Sequence, residues 1–139
     1  MADEAVIVEL HGQPKGGTVR YNCADATAIA KGTLCVLSGS RICAPSANAA
    51  QEQFIGVAAT EKEASDGQTT LGLNTKGIYD MKVNTSGASV TEGDAVTLSG
   101  INMIHSAIWD KVSGAQAKEI MGLALETGTV GQFVQVLIK

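Results

Sequence analysis

Two histidines, three cysteines and fourteen carboxylates are the groups in this chain able to carry acid–base, nucleophilic or metal chemistry. Their spacing points to none of it. His11 and His105 stand far apart, and no H-E-x-x-H pairs a histidine with a carboxylate on one helix face. No serine sits in a G-x-S-x-G elbow. Gly12-Gln13-Pro14-Lys15-Gly16-Gly17-Thr18 has the residue types of a phosphate loop, but in the wrong order and with no strand-to-helix context. Cys23, Cys35 and Cys43 show no C-x-x-C spacing and are odd in number. They read as small, reduced core residues, with a cross-strand Cys35–Cys43 bond as the sharper alternative. Glu61-Lys62-Glu63 with Asp66 reads as a solvated acidic loop rather than a cation site. The expectation is a protein that is not an enzyme, with no catalytic residues, no cofactor and no metal.

Composition narrows the partners. Charged residues make up 17% of the 139, against roughly 25% in ordinary soluble domains, and 45% are apolar, so a long disordered chain is excluded. Net charge is −4 and aromatics are 4%, which argues against nucleic acid, whether bound by its phosphates or by base stacking. The longest uncharged run, Ala95 to Trp109, is 15 residues and polar in places, too short for a membrane span of about 20. Met1-Ala2-Asp3-Glu4 lacks the basic start of a secretory signal, so synthesis and folding in the cytoplasm are expected.

With 16 Gly and 2 Pro, many turns between short strands are expected, and the turns repeat. KGTLCVLSGSRIC (31–43) matches EGDAVTLSGINMI (92–104) at offset 61, FIGVAAT (54–60) matches IMGLALE (120–126) at offset 66, and DGQTTLGL (66–73) matches VGQFVQVL (130–137) at offset 64. Three blocks in one order indicate an internal duplication, with copies at about 31–74 and 92–138 and the excess of copy two inside 105–119. The structural turns are assigned to Gly32 and Gly93 ahead of a strand, and to Gly39 and Gly100 in Ser-Gly hairpins where glycine supplies a positive φ. Gly56 and Gly122 fall inside strands, as at a bulge or a close backbone approach. Between the copies, Ile78, Asp80, Lys82 and Asn84 face one way and Tyr79, Met81 and Val83 the other, a strand with one apolar face. Helix is scarce, with short candidates near 106–111 and 115–119.

The fold class is therefore all-β, a compact antiparallel barrel or sandwich built by duplication, with an extended N-terminal arm. Residues 1–17 form the arm and 18–139 a single β domain. Val6, Ile7, Val8 and Leu10 make the arm apolar, and Gly12, Gly16 and Gly17 uncouple it. An apolar strand-former seeks an edge, either on a neighbouring molecule or as the first strand of its own barrel. His105, Ile108 and Trp109, in the insert that breaks the internal symmetry, are candidate interface residues.

Two families share elements of this pattern. Asp80-Met81-Lys82-Val83 is similar to the Met-Lys-Met of biotinyl and lipoyl carrier domains, but there the lysine crowns a hairpin turn, whereas Lys82 lies inside a strand pattern. Most of the chain, about residues 18–139 apart from the insert around Trp109, resembles the small capsid decoration, or cement, proteins of tailed phages. The resemblance rests on Lys31 to Val36, Phe54-Ile55-Gly56-Val57-Ala58, Glu92-Gly93-Asp94-Ala95-Val96 and Ile120-Met121-Gly122-Leu123-Ala124, with Val19-Arg20-Tyr21 ahead of them. It implies a homotrimer on the outer capsid surface of the virion, with the major capsid protein as partner, clamping neighbouring subunits of the shell. A host-surface or carbohydrate-binding β module on the virion is the alternative. Its aromatic faces would have to come from Trp109, Tyr21 and Tyr79.

Overall fold

A computed structural model of the chain describes residues 4–9, 18–47, 53–85, 89–106 and 120–138. Among the described residues there are eleven strands and no helix. They are β1 (Val6–Glu9), β2 (Val19–Cys23), β3 (Leu34–Gly39), β4 (Ile42–Pro45), β5 (Phe54–Ala58), β6 (Thr70–Asn74), β7 (Gly77–Val83), β8 (Ala95–Leu98), β9 (Met103–Ser106), β10 (Ile120–Ala124) and β11 (Phe133–Ile138). The expected helices near 106–111 and 115–119 fall almost wholly outside the described residues; Ser106 itself ends β9.

Strands β2-β4-β3-β5-β6 close into one barrel, and β7-β9-β8-β10-β11 close into a second with β1 added on β7. The two barrels are wired alike. The first strand of each runs parallel to the third, β2 to β4 and β7 to β9, while the other pairings are antiparallel. The agreement reaches single hydrogen bonds. Gly32 N–H donates to Ala58 O at 2.9 Å, and Gly93 N–H donates to Ala124 O at 2.8 Å. An isolated bridge joins Ile29 to Lys62 in one copy and Val90 to Gly128 in the other. Each barrel also includes a strand ahead of the matched sequence, β2 or β7.

The registers correct one detail of the sequence match. Val57 pairs with Asn74 and Leu123 with Leu137, so the last strands correspond at offset 63 rather than 64. Buried Leu71 and Leu73 then align with buried Val134 and Val136. At offset 64 they would align with half-buried Gln135 and Leu137, because a one-residue slip turns every side chain to the other face.

Burial follows from the wiring. β7 alternates without exception, with Tyr79, Met81 and Val83 inside and Ile78, Asp80 and Lys82 outside. Strand β3 does not alternate, since Leu34, Cys35 and Val36 are all buried. Cys35 points into barrel one with Cys23, Cys43, Leu71 and Leu73. Leu34 and Val36 leave that barrel on its other side and join Phe54 and Val57 in the core of barrel two. Each such side chain removed from water contributes roughly 1.5–3 kcal/mol, so the junction between barrels is a substantial part of the core.

Candidate functional site

The arm residues divide. Val6–Glu9 form β1, an antiparallel edge strand on β7 with Val6 opposite Asp80 and Ile7 opposite Tyr79. The arm thus finds its edge within its own chain, on the second barrel. Ile7 packs on the core, while Val6 and Val8 stay exposed, Val6 at 57%. Leu10 lies outside the described residues, as do Ile108 and Trp109. His105 is half-buried in β9, opposite Thr97 of β8. Strands β1 and β9 lie end to end along one edge of β7, β1 at Ile78–Asp80 and β9 at Lys82–Val83.

The registers set Val6, Asp80 and Gln135 in one row across β1, β7 and β11, and Lys82 and Phe133 in the next. Both rows face outward, opposite to Tyr79, Met81 and Val134. Val6 and Phe133 are thus exposed apolar groups on one mixed sheet face, with Asp80, Lys82 and Gln135 among them. Lys82 lies within β7, next to its last residue, not at the crown of a hairpin.

The turn glycines hold their positions with one exception. Gly32 (φ 88°) and Gly93 (φ 89°) are left-handed, as is Gly100 (φ 91°). Gly39 is not; it is the last residue of β3, and the left-handed residue of that hairpin is Arg41 (φ 55°), matched by Asn102 (φ 58°) in the second copy. In the first copy the turn lies one or two residues later than the Ser-Gly pair suggests, because Gly39 ends β3 and flanks the turn, whereas Gly100 lies within its loop. Gly56 and Gly122 answer the expectation of a bulge and a close approach. The register shifts beside both, and an added Cβ would meet Asn74 O or Leu137 O of the neighbouring strand.

The acidic loop differs from its expectation. Glu61, Glu63 and Asp66 are exposed, but Lys62 is buried. Its Nζ donates to Asp25 O at 2.6 Å and Glu63 O at 3.0 Å, and lies 3.3 Å from Asp66 Oδ1. Asp66 is held below its ordinary carboxyl range, chiefly by the Gln68 N–H, 2.9 Å from Oδ1, and further by Lys62 and the Glu63 N–H. Spacing gave no sign of this, since two of the three acceptors are backbone carbonyls, one of them from sequence-distant Asp25. The cysteines are free and buried, and burial raises the pKa of all three thiols, most strongly that of Cys35. Such thiols are poor nucleophiles. Tyr79 is fully buried, pushed up to about 12 by burial, and donates its hydroxyl to Lys76 O. The Arg41 guanidinium stands 5.5 Å from the centre of the Tyr21 ring. Tyr79 offers no open aromatic face, and Tyr21 is partly buried against the core of barrel one. Among the described residues no group of three or more His, Cys, Asp or Glu is placed to hold a metal ion.

What the geometry offers is surface, and comparison with known proteins agrees in kind. The pattern of the phage cement protein family matches residues 13–138. The chain belongs to the phage cement protein family. Its fold is shared with the crystal structure of the head fiber gp8.5 N base in bacteriophage phi29, at a TM-score of 0.56 and 14% identity, over 88% of this chain and 92% of that one. No curated protein sequence matches it. The phage cement family is a structural one, and its pattern spans both barrels.

Proposed function

We propose that this cement-family chain binds the outer surface of an assembled phage head and stabilises it by bridging neighbouring major capsid protein subunits, as a homotrimer. The observation that carries the reading is the family match across residues 13–138. The physical mechanism is mass action, because a ligand that binds the assembled lattice but not its separate subunits shifts the balance toward the lattice. Several weak contacts on one oligomer act at high effective concentration for one another. The outward face of β1, β7 and β11, with Val6 and Phe133 exposed on it, is the contact surface we assign. The far edge of β1, unpaired among the described residues, is able to accept a strand from a capsid subunit.

Purified heads lacking the protein provide the test. Adding it should place density on the outside of the shell and raise the temperature at which heads release DNA. Val6→Asp with Phe133→Asp should weaken occupancy by about tenfold or more, since burying an unpaired carboxylate costs at least 1.4 kcal/mol. Equal binding to unassembled capsid subunits, or full occupancy by the double variant, sinks the reading or its assigned surface respectively.

A further inference from the structure

The two barrels are alike in wiring but unlike in what covers them. Within one chain the β8–β9 hairpin of barrel two seats on the outer face of barrel one. Leu34 N–H donates to Asn102 Oδ1 at 2.9 Å, and Asn102 N–H donates to Ser46 Oγ at 3.1 Å. Leu98 and Asn102 of that hairpin are 7% and 2% exposed, and Leu34 and Val57 of the receiving face are fully buried. The duplication supplies a second hairpin and a second face. In the β3–β4 hairpin, Leu37 stands where Leu98 does and is 43% exposed, and neighbouring Ile42 is 37% exposed. On barrel two, Ala95 and Leu123 hold the places of Leu34 and Val57, yet both remain partly open. The row continues outward across the sheet through half-buried Leu137 and Ile78.

We propose that the β3–β4 hairpin of one copy seats on the outer face of β8, β10 and β11 of a second copy, repeating between molecules the contact that joins the barrels within one. The hairpins share a register, Leu37 opposite Cys43 and Leu98 opposite Ile104, and a left-handed residue at Arg41 and Asn102, although Gly100 is left-handed and Gly39 is not. The Arg41 side chain has no acceptor for a backbone N–H, but Glu92 and Asp94 lie just ahead of Ala95, so a guanidinium meets carboxylates where an amide met an amide. Among the described residues each copy carries one uncovered hairpin and one uncovered face, which makes the contact head-to-tail, and a head-to-tail contact gives a ring where its rotation closes. This gives the self-association in the proposed function its interface and rests on that reading only for the expectation of more than one copy. Three copies would set six barrels about one axis.

Sedimentation of the full chain tests it. Leu37→Asp with Ile42→Asp removes the hairpin, and Leu123→Arg blocks the face. Each variant alone should lose self-association by about tenfold or more. Mixed in equal amounts they should recover a two-chain species and nothing larger, because one retains the face and the other the hairpin. If Leu123→Arg fails to fold, Ala95→Glu carries the same arm. A wild type that sediments as a single chain at every concentration, variants that associate normally, or a mixture that does not pair would each overturn the proposal. A single-chain wild type that still coats heads would leave the decoration reading standing, and an associating wild type that ignores heads would remove that reading alone.

Discussion

At the scale of single residues, Lys62 is the group whose environment differs most from its local sequence. Flanked by Glu61 and Glu63, it is nonetheless buried, and its ammonium ties Asp25 and Glu63 carbonyls to Asp66. Lys62→Met should lower stability by about 1–3 kcal/mol, the loss of two charge-assisted hydrogen bonds, as read by denaturant unfolding. The pH dependence has a definite sign. The Asp66 carboxyl is held down in the folded state, so it stabilises the fold above the unfolded value of about 3.9 and loses that contribution as pH falls through the lower folded value. Asp66→Asn should therefore melt below wild type at neutral pH and converge with it in acid; a constant offset at every pH would contradict this. The three thiols supply a further check. Raised and enclosed, they should ignore a thiol reagent in the native protein and all three should react on unfolding. One reactive thiol in the denatured, unreduced protein would indicate a disulfide.

At the scale of elements, β1 is held by more than its pairing with β7. Ala5 N–H donates to Gly32 O at 2.7 Å, so the strand also touches barrel one. This separates two glycines with the same backbone. At Gly32 an added Cβ would meet Ala5 O and Glu4 Cβ; at Gly93 it would meet nothing within 4 Å. Both substitutions carry the strain of a left-handed residue, about 1–2 kcal/mol. Gly32→Ala should cost clearly more than Gly93→Ala by thermal melting, because it also pushes β1 away. In a chain lacking residues 1–11 the difference should vanish. Equal costs in the full chain would mean that β1 does not rest on Gly32. That truncation should itself lower the melting temperature, since it uncovers the core against which Ile7 packs.

At the scale of the whole molecule, Leu34, Val36, Phe54 and Val57 of barrel one share a core with Tyr79, Val96 and Ile104 of barrel two. Neither barrel retains that core alone. Calorimetry should therefore show one unfolding transition whose van't Hoff and calorimetric enthalpies agree; two resolved transitions would mean that the barrels are independent. The same junction explains the low charge. A β sheet wetted on one face needs a polar residue at every second position, whereas β3, covered on both faces, reads Leu34-Cys35-Val36 without interruption.

The sequence by itself determined the duplication, the turns at Gly32 and Gly93, the left-handed Gly100, the crowded Gly56 and Gly122, and the inside and outside of β7. Each of these is written locally, as a backbone angle only glycine accepts cheaply or as a period of two along one strand. The tertiary structure decided the rest. It set the last strands at offset 63, since Gly67-Gln68 and Gly131-Gln132 align by identity while the strands after them align by which side chains are buried. It put the left-handed turn at Arg41 instead of Gly39, buried Lys62 against the distant Asp25 carbonyl, and laid β1 on the second barrel. It also made the outer face of barrel one an interior by seating Asn102 and Leu98 upon it. Local patterns report whether a side chain is covered, but what covers it comes from another part of the chain, and that is decided only when the two barrels meet.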